Sequence, residues 1–435
     1  MKAVRKEIMP CVFLTCLKTD KFKTGCLSIN LLTQLSRENA AKNALIPYVL
    51  RRGTNVHPDM ESISACLDGL YGAVIEPVVR KKGEIQAIGF YADFADDRFV
   101  PDGGDILENT VSLLGEILLQ PNTRGGLFLP QYVDSERENL LEKIRGRIND
   151  KRSYSVTRLV ELMCPAEDYA VPALGGEDEA ESITYQKLTK HYRALLASSP
   201  VEIFYCGSAS AQRVEKALVR ALVTLPRGEI DEELGTDIRM NTMEEDVRYF
   251  TEELDVTQGK LAVGFRLGEC MDEPDMAAIS VFNAVYGGSV TSKLFMNVRE
   301  KLSLCYFASS TADKHKGVML VSSGIEFDKY GEALAEILAQ LDAVRRGEVT
   351  DDELTAAKRS IASDLRAVSD SGLALESFWL SQNLLGLDFT PEDMADMCEE
   401  VTAEEVTAIA NSVECDAVYF LRGKTEKEAE TVENA

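Results

Sequence analysis

The order of strand-like and helix-like stretches is written twice along this chain, and that repetition restricts the fold more than any single motif. In the first half, residue periodicity predicts a strand at Cys26–Leu32, helices at Glu38–Arg51 and Ser62–Tyr71, and strands at Val74–Arg80 and Ile85–Phe94. Helices follow at Ile106–Gln120, Gln131–Asn149, Val156–Met163 and Tyr185–Ser198, then a strand at Val201–Cys206 and a helix at Ala211–Leu222. The second half repeats the pattern: a strand at Lys260–Leu267, helices at Asp275–Tyr286 and Val290–Lys301, and strands at Leu304–Ala312 and Gly317–Glu326. It continues through helices at Lys329–Arg346, Asp351–Asp370, Gly372–Leu385 and Glu404–Ser412 to a closing strand at Ala417–Leu421. Strands alternating with long amphipathic helices, partly in βαββ order, predict α+β domains, each a mixed sheet packed with helices. Two such domains in tandem are expected, at 1–225 and 247–423. The charged, aperiodic stretch 226–246 reads as a linker and the polar tail 424–435 as disordered.

Composition narrows the function classes. With 435 residues and 27% charged side chains, the chain has ample material for two cores and the balance of a soluble globular protein. A net charge of −25 argues against nucleic acid and anionic membrane surfaces, which need basic patches. The first residues, MKAVRKEIMPCVFLTCLKTD, read as a first strand, because Pro10, Lys18 and Asp20 interrupt the apolar patch a leader would need. Ten scattered cysteines without a C-x-x-C pair are expected as buried free thiols in a cytoplasmic protein.

The most informative local stretch is Asn43–Thr54, NALIPYVLRRGT, where a helical face formed by Ala41, Ala44, Leu45, Tyr48 and Val49 ends at Arg51-Arg52-Gly53-Thr54. This layout resembles the signature helix of the M16 metallopeptidases (the insulinase, pitrilysin and mitochondrial processing peptidase family), which reads H-x-x-E-H before a basic run and Gly-Thr. Aligned on Gly53-Thr54, the two histidines fall at Ala44 and Tyr48 and the glutamate at Pro47. An inverted zinc motif needs two imidazoles one helical turn apart and a carboxylate to activate the metal's water. Alanine and proline offer no side-chain donor and neutral tyrosine is a poor ligand, while the three histidines, His57, His191 and His315, lie far apart. The expectation is a degenerate site that holds no zinc of its own.

The resemblance extends over the whole chain except the tail. It implies a LuxS/metallohydrolase-like fold in which two tandem domains form half of a clamshell. More narrowly, the sequence is similar to the bacterial branch associated with the 5-aminopentanol modification of elongation factor P, in which chains with and without an intact zinc motif occur together. The family's third ligand is a glutamate in a pattern like E-R-x-x-v-l-x-E-I. The counterpart here is Glu136-Arg137-Glu138-Asn139-Leu140-Leu141-Glu142-Lys143-Ile144, which puts Lys143 at the ligand position, or Glu142 after a one-residue slip. On this basis Glu136–Arg147 is expected as a solvated charged face. In the second half, Arg299-Glu300-Lys301-Leu302-Ser303-Leu304-Cys305-Tyr306 resembles the family run L-R-E-x-x-G-L-a-Y, with serine in place of glycine. There the resemblance implies that Arg299 and Tyr306 bind substrate and help stabilise the tetrahedral intermediate. Gly287-Gly288-Ser289 reads as a turn between helices, since the spacing and lysine of a P-loop are missing.

The leading expectation is a non-catalytic subunit that closes the chamber of a zinc-bearing M16 relative and supplies Arg299 and Tyr306 to it. Zinc is then expected only in that partner. Two alternatives stand beside it: a homodimeric binder of peptides or a protein client, and a purely structural assembly partner.

Overall fold

The computed structural model describes residues 2–101, 104–239, 246–268, 273 and 275–424. The expected tail therefore lies almost wholly outside the described residues, as does the 240–245 part of the expected linker. In chain order the main elements begin with β1 (Val4–Met9), β2 (Val12–Lys18), β3 (Thr24–Gln34), α1 (Arg37–Leu50), α2 (Met60–Gly69), β4 (Val74–Lys82) and β5 (Ile85–Ala95). Next come α3 (Ile106–Leu119), α4 (Pro130–Gly146), α5 (Lys151–Met163), α6 (Tyr185–Ser198), β6 (Val201–Gly207) and α7 (Ala211–Ala221). The second half contributes β7 (Arg248–Leu254), β8 (Gly259–Arg266), α8 (Asp275–Asn283), α9 (Leu294–Lys301), β9 (Cys305–Asp313) and β10 (Val318–Ile325). It closes with α10 (Tyr330–Arg345), α11 (Asp351–Val368), α12 (Gly372–Leu385), α13 (Pro391–Glu400), α14 (Ala403–Ser412) and β11 (Glu414–Gly423).

The fold is α+β, with two mixed sheets covered by helices. One has the order β1-β2-β6-β3-β5-β4 and the other β9-β10-β8-β11-β7. Leaving aside β1, the two run through equivalent strands in the same sequence. Each also has one parallel pair, β2 with β6 and β11 with β7, among antiparallel neighbours. The repetition in the sequence is therefore a repetition of topology.

Two compact units form, and neither is one continuous stretch of chain. The first comprises Met1–Arg145, Val171–Thr236 and Val368–Thr390; the second comprises Gly146–Ala170, Asp237–Ala367 and Pro391–Ala435. Each sheet thus buries its second face under a helix from the other half of the sequence. On β3, Leu27, Ile29 and Leu31 enter the main core of the first unit. The alternate positions turn to α12, where Cys26 packs with Leu375 and Trp379, and Leu32 with Leu380. On β8, Leu261, Val263 and Phe265 face the core of the second unit, while Ala262 packs with Leu159 and Met163 of α5. Gly264 is small for the same reason: a Cβ there would lie 2.5 Å from Met163 Sδ. Central strands buried on both faces read as continuous apolar runs, as these do.

Three elements depart from the sequence reading. The N-terminal stretch read as one first strand forms two, β1 and β2, paired antiparallel. No strand is expected at Arg248–Leu254, yet β7 forms there as an edge strand; Phe250 and Leu254 pack inward, and Glu252 between them, bonded by the Tyr154 and Tyr419 hydroxyls, interrupts the apolar alternation. The helix expected at Val290–Lys301 begins at Leu294, because Ser289 bonds Ala284 O at 3.0 Å and Thr291 Oγ1 at 3.1 Å in a local turn. Among the described residues, no helix is long and apolar enough to cross a membrane.

Candidate functional site

Ala44, Pro47, Tyr48 and Lys143 meet in the first unit. Ala44 is fully buried in the core, and Pro47 sits inside α1, where it withholds the N–H that would bond one turn back. Tyr48 is half-buried, and the Lys143 ammonium of α4 lies 4.0 Å from its ring centre. Of the two registers weighed for the third ligand, it is thus Lys143 that meets the Tyr48 ring. The residues at the family's three ligand positions do not fit a zinc ion: Ala44 lacks a donor atom, Tyr48 is a phenol and Lys143 is a cation, while Pro47, at the position of the water-activating glutamate, has no carboxylate. Among the described residues, no group of three or more His, Cys, Asp or Glu side chains is arranged to hold a metal.

What surrounds these positions is a packed scaffold. Gly53 has no room for a side chain, since a Cβ would lie 2.3 Å from the Pro58 carbonyl oxygen. The Thr54 hydroxyl accepts from the His57 N–H at 2.8 Å and donates to Glu116, which also contacts His57 Nδ1 at 2.8 Å. Arg52 donates to Glu136 Oε1 at 3.1 Å and lies over the Tyr132 ring. This corrects the expected solvated face on Glu136–Arg147. Glu136, Leu140, Leu141 and Ile144 are buried, and Glu136 anchors α4 to the basic run that ends α1. Behind α1, buried Asn43 donates to Gln86 Oε1 at 2.9 Å, and its Oδ1 lies 2.6 Å from His191 Nε2. Burial, helped by the Lys42 charge, pushes the His191 ring down to about 4, so it is neutral at pH 7.

In the second unit, Arg299 and Tyr306 flank a strained turn. Arg299 lies in α9, which is wound with wide i→i+5 turns, a local form often found at functional sites. Ser303, standing where the family run has glycine, adopts φ 50°, the left-handed region that favours glycine. The strand β9 then pairs Cys305 with Ile325 and Phe307 with Gly324, leaving Tyr306 as the extra residue of a β-bulge. The bulge re-aims the side chain outward, and Tyr306 is 61% exposed. The Arg299 guanidinium stacks 4.6 Å from the Phe295 ring centre and approaches Glu300 Oε1 only at 3.5 Å. Its charge also reaches Cys305, whose thiol is raised by burial and lowered by the Ser323 hydroxyl and Arg299. The arginine and tyrosine thus belong to one end of the β9 edge.

Three features escape the sequence reading. His57 and His191 each acquire a partner distant in sequence, Glu116 and Asn43, and neither spacing forms a motif. Arg152 and Lys260, from different elements, both lie over the Phe307 ring, at 4.2 and 5.9 Å from its centre.

A metallopeptidase scaffold whose ligand and water-activating positions carry alanine, tyrosine, lysine and proline defines a catalytically degenerate class, and the chain belongs to the M16 peptidase family. Residues 182–361 match the family model described as Peptidase M16 inactive domain. The chain is 32% identical over 408 residues to a Bacillus subtilis (strain 168) protein named "Probable inactive metalloprotease YmfF", covering 93% of this chain and 94% of that one. It is 24% identical over 297 residues to "Uncharacterized zinc protease SCO5738" of Streptomyces coelicolor, covering 66% of this chain and 64% of that one. A crystal structure of a conserved protein from Enterococcus faecalis V583 superposes with a TM-score of 0.88 at 28% identity, covering 98% of this chain and 100% of that one. The protein is an inactive-type homologue of M16 metalloproteases.

Proposed function

We propose that this chain is the non-catalytic subunit of a two-chain M16 zinc metallopeptidase and completes its partner's active site. The partner is a zinc-bearing relative of the same fold, and the metal belongs to that subunit. Arg299 and Tyr306 bind the peptide backbone there and stabilise the oxyanion that develops on the scissile carbonyl. The observation that carries this reading is an asymmetry. At the zinc-ligand positions Lys143 is engaged with the Tyr48 ring, whereas Tyr306 is turned out by a bulge and Arg299 pairs with Glu300 only at 3.5 Å. Similarity to proteins named both inactive metalloprotease and zinc protease supports a division of labour between related chains. Nine free thiols among the described residues support residence in a reducing compartment, the cytoplasm.

The test is co-expression with a zinc-bearing relative, purification of the mixed complex and assay of peptide cleavage. Arg299→Ala and Tyr306→Phe should assemble normally, retain the partner's zinc and cleave slowly. Full activity in both variants would refute the shared site.

A further inference from the structure

The edge strand β9 carries a second cationic feature beyond Tyr306. Phe307 and Ser309 lie two residues apart and share a face, while Ala308 between them turns into the core. Arg152, from the first turn of α5, places its guanidinium 4.2 Å from the Phe307 ring centre and donates to Ser309 Oγ at 2.9 Å. Lys260, from β8, brings its ammonium to 5.9 Å from the same ring. Its hydrogen bond goes to the neutral amide oxygen of Gln258, as that of Arg152 goes to the neutral Ser309 hydroxyl, and no ion pair of either cation is found among the described residues. The nearby acid, Asp150, is committed to capping α5, where it accepts from the N–H groups of Arg152 and Ser153 and from the Ser153 hydroxyl at 2.6 Å. Two like charges have thus been brought over one aromatic ring in a protein whose net charge is −25. Burial, then the Arg152 charge, depress the Lys260 ammonium, and the Asp150 charge offsets only part of this. An anion placed between them would relieve that repulsion.

We propose that Arg152 and Lys260 form a carboxylate-binding subsite on the β9 edge that selects an acidic side chain in the peptide engaged by Arg299 and Tyr306. This names the substrate class of the site proposed above and rests on that reading. The planar guanidinium, with one N–H held by Ser309, keeps further donors for a carboxylate, and Lys260 adds a second charge-assisted donor. Phe307 is the floor on which both cations lie, and apolar parts of the peptide can pack there too.

The probes are fluorescein-labelled, C-terminally amidated decapeptides of alanine and serine, with one central glutamate or glutamine. Their binding to the full chain is read by fluorescence anisotropy at low salt. The wild-type chain should bind the glutamate peptide about tenfold more tightly than its glutamine counterpart, the scale of one charge-assisted contact. That ratio should fall to about one in the Arg152→Gln/Lys260→Gln double variant and shrink as salt rises. The charge-retaining Arg152→Lys/Lys260→Arg variant should restore it, which a merely structural role would not produce. Equal binding of the two peptides by the wild-type chain, or a preference that survives the double glutamine variant, overturns the proposal. The trans-site reading fails separately, through full cleavage by complexes carrying Arg299→Ala or Tyr306→Phe, a readout independent of the glutamate-to-glutamine ratio.

Discussion

The ammonium of Lys143 lies 4.0 Å from the centre of the Tyr48 ring. In an M16 site with its ligands intact, those two positions would belong to the third ligand and the second histidine. Here a single positive charge on a side chain faces the aromatic ring, a cation–π contact of about 0.5–1 kcal/mol at an exposed position. The metal-binding helix has thus kept its packing and its basic exit while its chemistry has been replaced by a contact that needs no metal.

Reinstating the motif on α1 alone should fail. In Ala44→His/Pro47→Glu/Tyr48→His, Lys143 would still set an ammonium beside the new imidazoles. Metal analysis after gel filtration should find well under about one zinc per chain. Adding Lys143→Glu should bring retention close to one. Stoichiometric zinc in the triple variant would show that Lys143 is no obstacle.

The arginine and tyrosine variants also carry a magnitude. Removing an oxyanion-type donor costs about 2.7–4 kcal/mol of transition-state stabilisation. Arg299→Ala or Tyr306→Phe should therefore lower kcat of the mixed complex by roughly 100- to 1000-fold. Tyr48→Phe, at the degenerate site, should leave kcat within about twofold, since the phenol takes no part in that chemistry.

Ser303 holds a left-handed conformation that costs a non-glycine residue about 1–2 kcal/mol. Glycine removes that cost but gives up about 0.5–1 kcal/mol through the freer unfolded chain. Ser303→Gly should raise the denaturant midpoint slightly, and β-branched Ser303→Val should lower it. The reverse order would contradict the assigned backbone.

His191 gives the chain a sensitivity to mild acid. The folded state holds its ring neutral down to about 4, whereas the ring in the unfolded chain takes up a proton from about 6.5 downward. Its contribution is therefore full above pH 6.5 and is lost as pH falls towards 4, reaching about 2 kcal/mol by pH 5. Comparing urea midpoints at pH 7 and 5 should show a smaller acid loss in His191→Gln than in wild type. An equal loss in the two would mean that burial does not hold the ring neutral.

A buried charge cluster anchors the chain after α5. Glu167 accepts from Arg266 at 2.7 and 3.1 Å and pairs with Lys316 at 2.7 Å, all three fully buried at their side chains. Burial alone would raise this carboxyl, but hydrogen bonds from Arg266 and Lys316 overcome it and draw it down to about 2. Its stabilisation is present above about pH 4.5 and is lost as pH falls towards 2. Glu167→Gln leaves two cations short of a partner and should cost about 3–5 kcal/mol at pH 7, read as a lowered urea midpoint. A loss below about 1 kcal/mol would mean that Asp416 and water satisfy Arg266 and Lys316 without it.

The sequence alone carried the repeated α+β pattern, the M16 scaffold and the loss of zinc donors. Strand and helix periods are local, and in any fold Ala44 and Pro47 offer no side-chain donor and the neutral Tyr48 phenol only a poor one. The sequence did not carry the edge strand β7, where Glu252, held by two tyrosine hydroxyls, stands between Phe250 and Leu254 and breaks the apolar alternation. It also gave no sign that α5 and α12 each cover a sheet from the other half of the chain, because an amphipathic helix does not record which sheet it will cover. Lys143, rather than Glu142, meets Tyr48 because α4 packs through Leu140, Leu141 and Ile144 and is pinned by the Arg52–Glu136 pair. The outward turn of Tyr306 comes from a register shift between β9 and β10. The meeting of Arg152 with Lys260 comes from two elements more than a hundred residues apart converging on one ring. Residue identity fixed which chemistry is absent; tertiary packing decided which side chains were brought together in its place.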